Sequence, residues 1–345
     1  MKKRKIIKGI IYATVFYFFF FVPIPYYIER PGSAVEINPL IEVEGVVEPV
    51  DGRYMLTTVE MFQATPFTSF FQFLPFHSGV WESQLLGQID DYEEYRTMQR
   101  YFMSNSIDMA KVAAFEEAGL PYDIDYRGVY VMSISDESQF EDELFPGDSI
   151  LELNGERFEN TQQFVDSVSG KDAGDTVSLL IERDGEELTV AGDLVVLEST
   201  GQPGIGITLV TRTQVETDPT VAINSGNIGG PSAGLMFALE VYTQITDFPL
   251  NNLQVAGTGT INEFGEVGRI GGVDKKVVAA DREGADIFFV PDDHVDEETI
   301  ALIPDYVSNY YLALETAEAI DTEMEIVPVQ HISDAISYLD QLVGD

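Results

Sequence analysis

The stretch NSGNIGGPSAGLMFALE, from Asn224 to Glu240, runs through three glycines into Pro231 and Ser232 and then directly into apolar residues. A serine there stands at the start of a helix, where unpaired first-turn amides and the positive end of the helix dipole can stabilise a tetrahedral oxyanion. Its hydroxyl becomes a nucleophile only beside a base. Serine is also an ordinary helix starter and Gly-Pro an ordinary turn, so this stretch acquires chemical meaning only with a second group. GRIGGVDKKVVAADREGADIFFVP supplies a candidate, because Lys276 falls on one helical face with Ala279 and Ala280 while Lys275 points elsewhere. A lysine acts as a base when neutral, and burial among small apolar residues lowers its pKa, working against the protein's large negative charge.

GPSAG also fits the G-x-S-x-G elbow of the α/β-hydrolases. In that elbow the serine follows its strand directly, whereas here GNIGG intervenes and a proline precedes the serine, and neither His294 nor His331 has a persuasive acid partner. The three histidines, His77, His294 and His331, are scattered and lack zinc-ligand spacing. PDDHVDEE, around Asp292, does not have the spacing of a calcium loop. No metal and no cofactor is expected.

The elements that must position Ser232 and Lys276 belong to a chain of 345 residues with 59 acidic and 19 basic side chains, a net charge of −40. A phosphate backbone is repelled by such a surface, so nucleic acid is excluded as a partner. Cysteine is absent, which agrees with an exported protein without disulfides but does not demand one. Lys2, Lys3, Arg4, Lys5 and Lys8 precede an apolar run from Ile10 to Pro25. A helix from Ile6 to Pro25 approaches the ~30 Å of a hydrocarbon core and predicts an uncleaved, single-pass transmembrane anchor at residues 1–27. Its basic end lies on the cytoplasmic side, Tyr26 and Tyr27 at the far interface, and the remainder is extracytoplasmic.

Residues 28–121 read as short strands followed by helical spacing from Glu82 to Leu120 that stops at Gly119 and Pro121, a region packing on the domain that holds Ser232. Between them TPFTSFFQFLPF is read as core beneath the helices, with a patch touching the membrane surface as the alternative. Residues 122–200 contain RGVYVMSIS, then PGDSILELNG, a short helix over Thr161–Val168, and a hairpin closing on Asp184-Gly185. This unit resembles a PDZ domain, which binds extended peptides by strand addition. The resemblance places peptide binding on the loop Arg127, Gly128, Val129, Tyr130 and Val131.

Across residues 201–345, GGPSAGLMFALE, the GTGTI hairpin and GRIGGVDKKVVAADREGADIFFVP resemble the proteolytic domain of the Lon family. The order of anchor, PDZ-like unit and Lon-type domain is similar to that of the YlbL-like membrane-anchored peptidases. The resemblance implies an α+β multi-domain fold: a transmembrane helix, a β-rich PDZ-like domain and a Lon-type α/β proteolytic domain. It implies Ser232 as nucleophile, Lys276 as general base, Thr258 as support for the lysine, and the Gly230 and Ser232 backbone amides as oxyanion donors. It also implies protein or peptide substrates, and self-assembly as a hexameric ring. The chain departs from the ATP-dependent members in having Gly229 two positions before the proline, where an acid is frequent. It also contains no G-x-x-x-x-G-K-[ST], so these residues encode no P-loop motor and cleavage without ATP is expected. The competing class is a non-catalytic envelope scaffold that binds C-terminal peptides, against which the joint presence of Ser232 and Lys276 argues.

Overall fold

A computed structural model of the chain describes residues 2–46, 51–87, 92–140, 143–158, 160–183, 185–198, 200–226, 228–293 and 306–343. His294 and most of the PDDHVDEE stretch lie outside the described residues.

The first helix, α1, runs Lys2–Phe21 rather than Ile6 to Pro25. Pro23 and Pro25 disfavour helical backbone in the residues before them, so the helix ends early. Its basic first turns leave Gly9 to Phe21 as the uninterrupted apolar part, about 20 Å at 1.5 Å per residue. Among the described residues no helix is long and apolar enough to cross a membrane.

The chain then forms strands β1 (Tyr26–Glu36), β2 (Arg53–Gln63) and β3 (Ser78–Trp81), followed by helices α2 (Glu82–Leu86) and α3 (Tyr92–Ala118). Gly119, at φ 65°, ends α3 in the left-handed conformation that stops a helix. The next segment is β-rich: β4 (Tyr122–Ile134), β5 (Ser149–Leu153), helix α4 (Thr161–Ser169), β6 (Thr176–Arg183), β7 (Glu186–Asp193) and β8 (Ile207–Thr217). Asn160 caps α4, its side-chain oxygen accepting the Gln163 amide. These strands form an antiparallel sheet in the order β8-β4-β5-β6-β7. The sheet therefore takes its last strand from beyond residue 200, where the sequence reading ended the PDZ-like unit.

The remaining elements are α5 (Gly234–Thr246), β9 (Gln254–Gly257), α6 (Val273–Arg282), β10 (Ile287–Pro291), α7 (Asn309–Ile320), β11 (Glu325–Val329) and α8 (Ile332–Val343). Strands from before and after the β-rich unit share one mixed sheet, ordered β11-β10-β9-β2-β1-β3. From β11 to β2 the neighbours are parallel, and β1 pairs antiparallel with β2 and β3. Alternate residues point to opposite faces of a strand, so Tyr54, Leu56, Ile287 and Phe289 enter one core with α3, α5 and α8. Met55, Phe288 and Val290 enter the other with α6 and α7. Both faces are covered, which is why IFFVP is apolar throughout and fully buried.

TPFTSFFQFLPF does not fill that core. It forms a 3₁₀ segment over Thr68–Phe73 whose Phe70 and Phe73 are 59% and 76% exposed.

Candidate active site

α6 begins after Gly272, whose φ of 67° turns the chain into the helix, and its apolar face places Lys276, Ala279 and Ala280 inward. Lys276 is 3% exposed, and its Nζ lies 2.6 Å from Ser232 Oγ and 2.9 Å from Thr258 Oγ1. Thr258, fully buried just beyond β9, donates its own proton to the Ser232 carbonyl at 3.0 Å. It must then accept from a lysine N–H, which leaves the lone pair of a neutral amine for the serine hydroxyl. The Gly259 amide also donates to the Ser232 carbonyl, at 2.9 Å, so the serine backbone is held from two sides.

Among the described residues Lys276 makes no ion pair, and burial lowers its pKa from 10.5 to about 7. Lys275 is buried along its stem, but its ammonium turns to Asp274 at 3.3 Å and Glu29 at 4.0 Å. A neutral amine at hydrogen-bond distance from a serine hydroxyl, with a cleft of about 670 Å³ in front, can take the hydroxyl proton during attack on a carbonyl. That cleft is walled by Thr57–Val59 of β2, by Tyr95, Gln99 and Met103 of α3, and by the Arg269–Gly272 loop.

Two details differ from the sequence reading. α5 starts at Gly234 with Ala233 as its N-cap, so Ser232 stands in the turn ahead of the helix rather than inside its first turn. The Leu235 amide of that first turn already donates to the Gly259 carbonyl at 3.1 Å. The Gly230 amide, expected to face an oxyanion, donates at 2.9 Å to the carbonyl of Gln99 on α3. Among the described residues the Ser232 amide has no acceptor, and it remains the donor available to an oxyanion. Sequence reasoning read α3 as a helix packing on this domain but gave it no place at the site: Ser106 donates to the Pro231 carbonyl at 2.9 Å, so this helix clamps the turn that carries Ser232.

The expected peptide loop is placed differently again. Gly128, Val129, Tyr130 and Val131 lie in the middle of β4, bonded to β8 on one side and facing β5 on the other. Their backbone groups are committed to the sheet, and Val129 and Val131 are fully buried. Gly128 serves packing instead, since a Cβ there would lie 2.2 Å from the Ile150 carbonyl oxygen. One edge of this sheet is β7; the other is β8, which among the described residues pairs only with β4. Beside it, a mostly apolar groove of about 250 Å³ runs between α4 and the residues from Pro203 to Leu209. Its sequence signal is GIGITLV, Gly204–Val210, alternate glycines leading into an apolar strand.

Comparison with known proteins matches a PDZ domain family over residues 105–194 and the Lon protease (S16) C-terminal proteolytic domain over residues 190–335. The Lon protease of an aster yellows witches'-broom phytoplasma is 32% identical over 31% of this chain and 12% of its own length. That of Acinetobacter baumannii is 34% identical over 33% of this chain and 14% of its own. The chain thus spans about an eighth of the length of these curated relatives. Among solved structures, the PDZ domain of the SdrC-like protein from Listeria monocytogenes is 40% identical, covering 25% of this chain and 90% of that one, with a TM-score of 0.24.

Proposed function

From a chain that joins a PDZ domain to a Lon-type proteolytic domain, we propose a serine endopeptidase that cleaves unfolded or flexible proteins outside the cytoplasm without ATP. The observation that carries this reading is the 2.6 Å approach of the buried Lys276 amine to Ser232 Oγ. Neutral Lys276 takes the hydroxyl proton as Oγ attacks the scissile carbonyl, and the resulting ammonium protonates the leaving amine. Water then attacks the acyl ester, Lys276 accepts its proton, and Ser232 leaves with that proton restored. The Ser232 amide stabilises the oxyanion. The Gly230 amide joins it after exchanging the Gln99 carbonyl for the substrate oxygen.

The test is hydrolysis of casein without ATP between pH 6 and 9. The kcat/KM is expected to rise through pH about 7 and level off above it, because only the free enzyme with neutral Lys276 reacts. A rate that is flat with pH, or that needs ATP, overturns the reading.

The PDZ unit receives an extended peptide along the β8 edge, with apolar side chains in the α4 groove. Val165 lines this groove and is 40% exposed, so an aspartate there is tolerated by the fold but opposes an apolar ligand. Val165→Asp is expected to weaken binding of an apolar C-terminal peptide by about tenfold or more, read by fluorescence anisotropy. Unchanged affinity would move the peptide elsewhere.

The protein is attached to a membrane through α1, whose apolar side chains from Ile6 to Phe21 are largely exposed. The short apolar helix is accommodated by snorkelling of its lysines and by local thinning of the bilayer, with the basic end cytoplasmic. Assembly as a hexameric ring extends the same reading by resemblance to the Lon family.

A further inference from the structure

Three long stretches of this acidic chain contain no Asp, Glu, Lys or Arg: Gly9 to Ile28, Met61 to Trp81, and Pro219 to Leu239, the last running through the Ser232 turn into α5. The fold brings the first two together. β1 and β3 pair Tyr26 with Trp81 and Tyr27 with Val80. The Phe67 ring centroid is 4.8 Å from that of Phe20 at the end of α1, and the Phe67 amide donates to the Phe19 carbonyl at 3.1 Å. Where α1 meets the body, Phe70, Phe73, Leu74 and Trp81 stand 59%, 76%, 48% and 53% exposed.

These side chains are held outward by a pinned backbone. Thr65 and Thr68 exchange amide-to-hydroxyl hydrogen bonds at 2.8 and 3.2 Å, and Tyr26 donates to Gln72 at 2.7 Å. Phe71 turns inward to pack on Tyr26, Ile28 and Ala64. An exposed aromatic surface of this kind marks an interface, and Trp and Phe beside an apolar helix suit the boundary between headgroups and acyl chains. With a net charge of −40, the chain is repelled by anionic lipid, whereas the exposed aromatic residues of these two uncharged stretches carry no charge to oppose approach.

We propose that Phe67–Leu74 and Trp81 form a platform that seats in the interfacial layer of the bilayer α1 enters. This rests on the membrane attachment proposed above. Glu29, which lines the Ser232 cleft, pairs with Ser78 on the same strand edge, so the platform also sets the cleft beside the lipid surface.

Trp81 is the chain's single tryptophan, so its fluorescence reads the platform without labelling. The full chain is reconstituted in phosphatidylcholine vesicles, plain or brominated near the top of the acyl chains, and recovered by flotation. Trp81 emission is expected to be quenched by the brominated lipid and shielded from acrylamide. Phe70→Ser/Phe73→Ser, with an unchanged circular dichroism spectrum, is expected to lose both effects. Floated wild-type protein whose Trp81 stays unquenched and open to acrylamide overturns the platform and leaves attachment through α1 intact. Protein that does not float overturns both. Shielding that appears without lipid and grows with protein concentration assigns this face to a second copy of the chain and likewise overturns the proposal.

Discussion

Ser232→Ala and Lys276→Met are each expected to slow hydrolysis of an unfolded protein by roughly 10³- to 10⁶-fold, with the double variant little worse than either single one. Non-additivity follows from the geometry, because Nζ and Oγ, 2.6 Å apart, act on one proton and neither has a substitute nearby. Ser225 is in another turn, and the Lys275 ammonium is held by Asp274 at 3.3 Å. Lys275→Met is therefore expected to stay within about tenfold of wild type. The measurement is release of labelled peptides from casein, with circular dichroism to establish that each variant is folded. Cleavage by Ser232→Ala at the wild-type rate would remove the serine from the chemistry.

Lys276→Met is expected to raise stability while abolishing activity. Unfolded Lys276 titrates near 10.5 and folded Lys276 near 7, so between these values the unfolded chain binds more protons and stability rises with pH. Below pH about 7 both states carry the charge and the full penalty of burying it is present; above 10.5 both are neutral and the penalty is gone. The difference in pKa sets an upper bound on the order of 5 kcal/mol. Methionine fills a similar volume without a charge to desolvate, and Thr258 keeps its bond to the Ser232 carbonyl. The expected result is a Tm several degrees above wild type at pH 6, with the gap closing toward pH 10. Global repulsion among the carboxylates affects both proteins alike, so the difference isolates Lys276. A lower Tm for Lys276→Met at pH 6 would show that the amine is not a stored cost at this site.

Such a cost is the signature of a site shaped for reactivity. Part of it is readable along the chain. The helical phase that groups Lys276 with Ala279 and Ala280, and sets Lys275 apart, needs only the 3.6-residue repeat. The glycines ahead of Pro231 announce a turn, though not that the helix waits until Gly234. By contrast, nothing in local periodicity reveals that Gly230 donates to Gln99, far earlier in the chain, or that Ser106 holds Pro231. Glycine at 128 suggested a ligand loop, whereas its lack of a side chain accommodates the neighbouring strand. GIGITLV marks the entry to β8, but not the groove beside it, because a strand's free edge is defined by which neighbours it lacks, a property of the whole sheet.

What the sequence by itself determined is the set of candidate reactive groups, the turn and helix that present them, the resemblance of two segments to PDZ and Lon-type domains, and the separation of basic, apolar and acidic residues. These depend on side-chain type and on repeats of two or 3.6 residues, which act over a few positions. Only the tertiary structure decided that β1 and β2 complete the sheet of β9, β10 and β11, that α3 closes over the Ser232 turn, and that two charge-free stretches meet at Phe67 and Trp81. Those outcomes depend on partners far apart in the chain, selected by shared burial and by the requirement that every buried backbone group find a hydrogen bond.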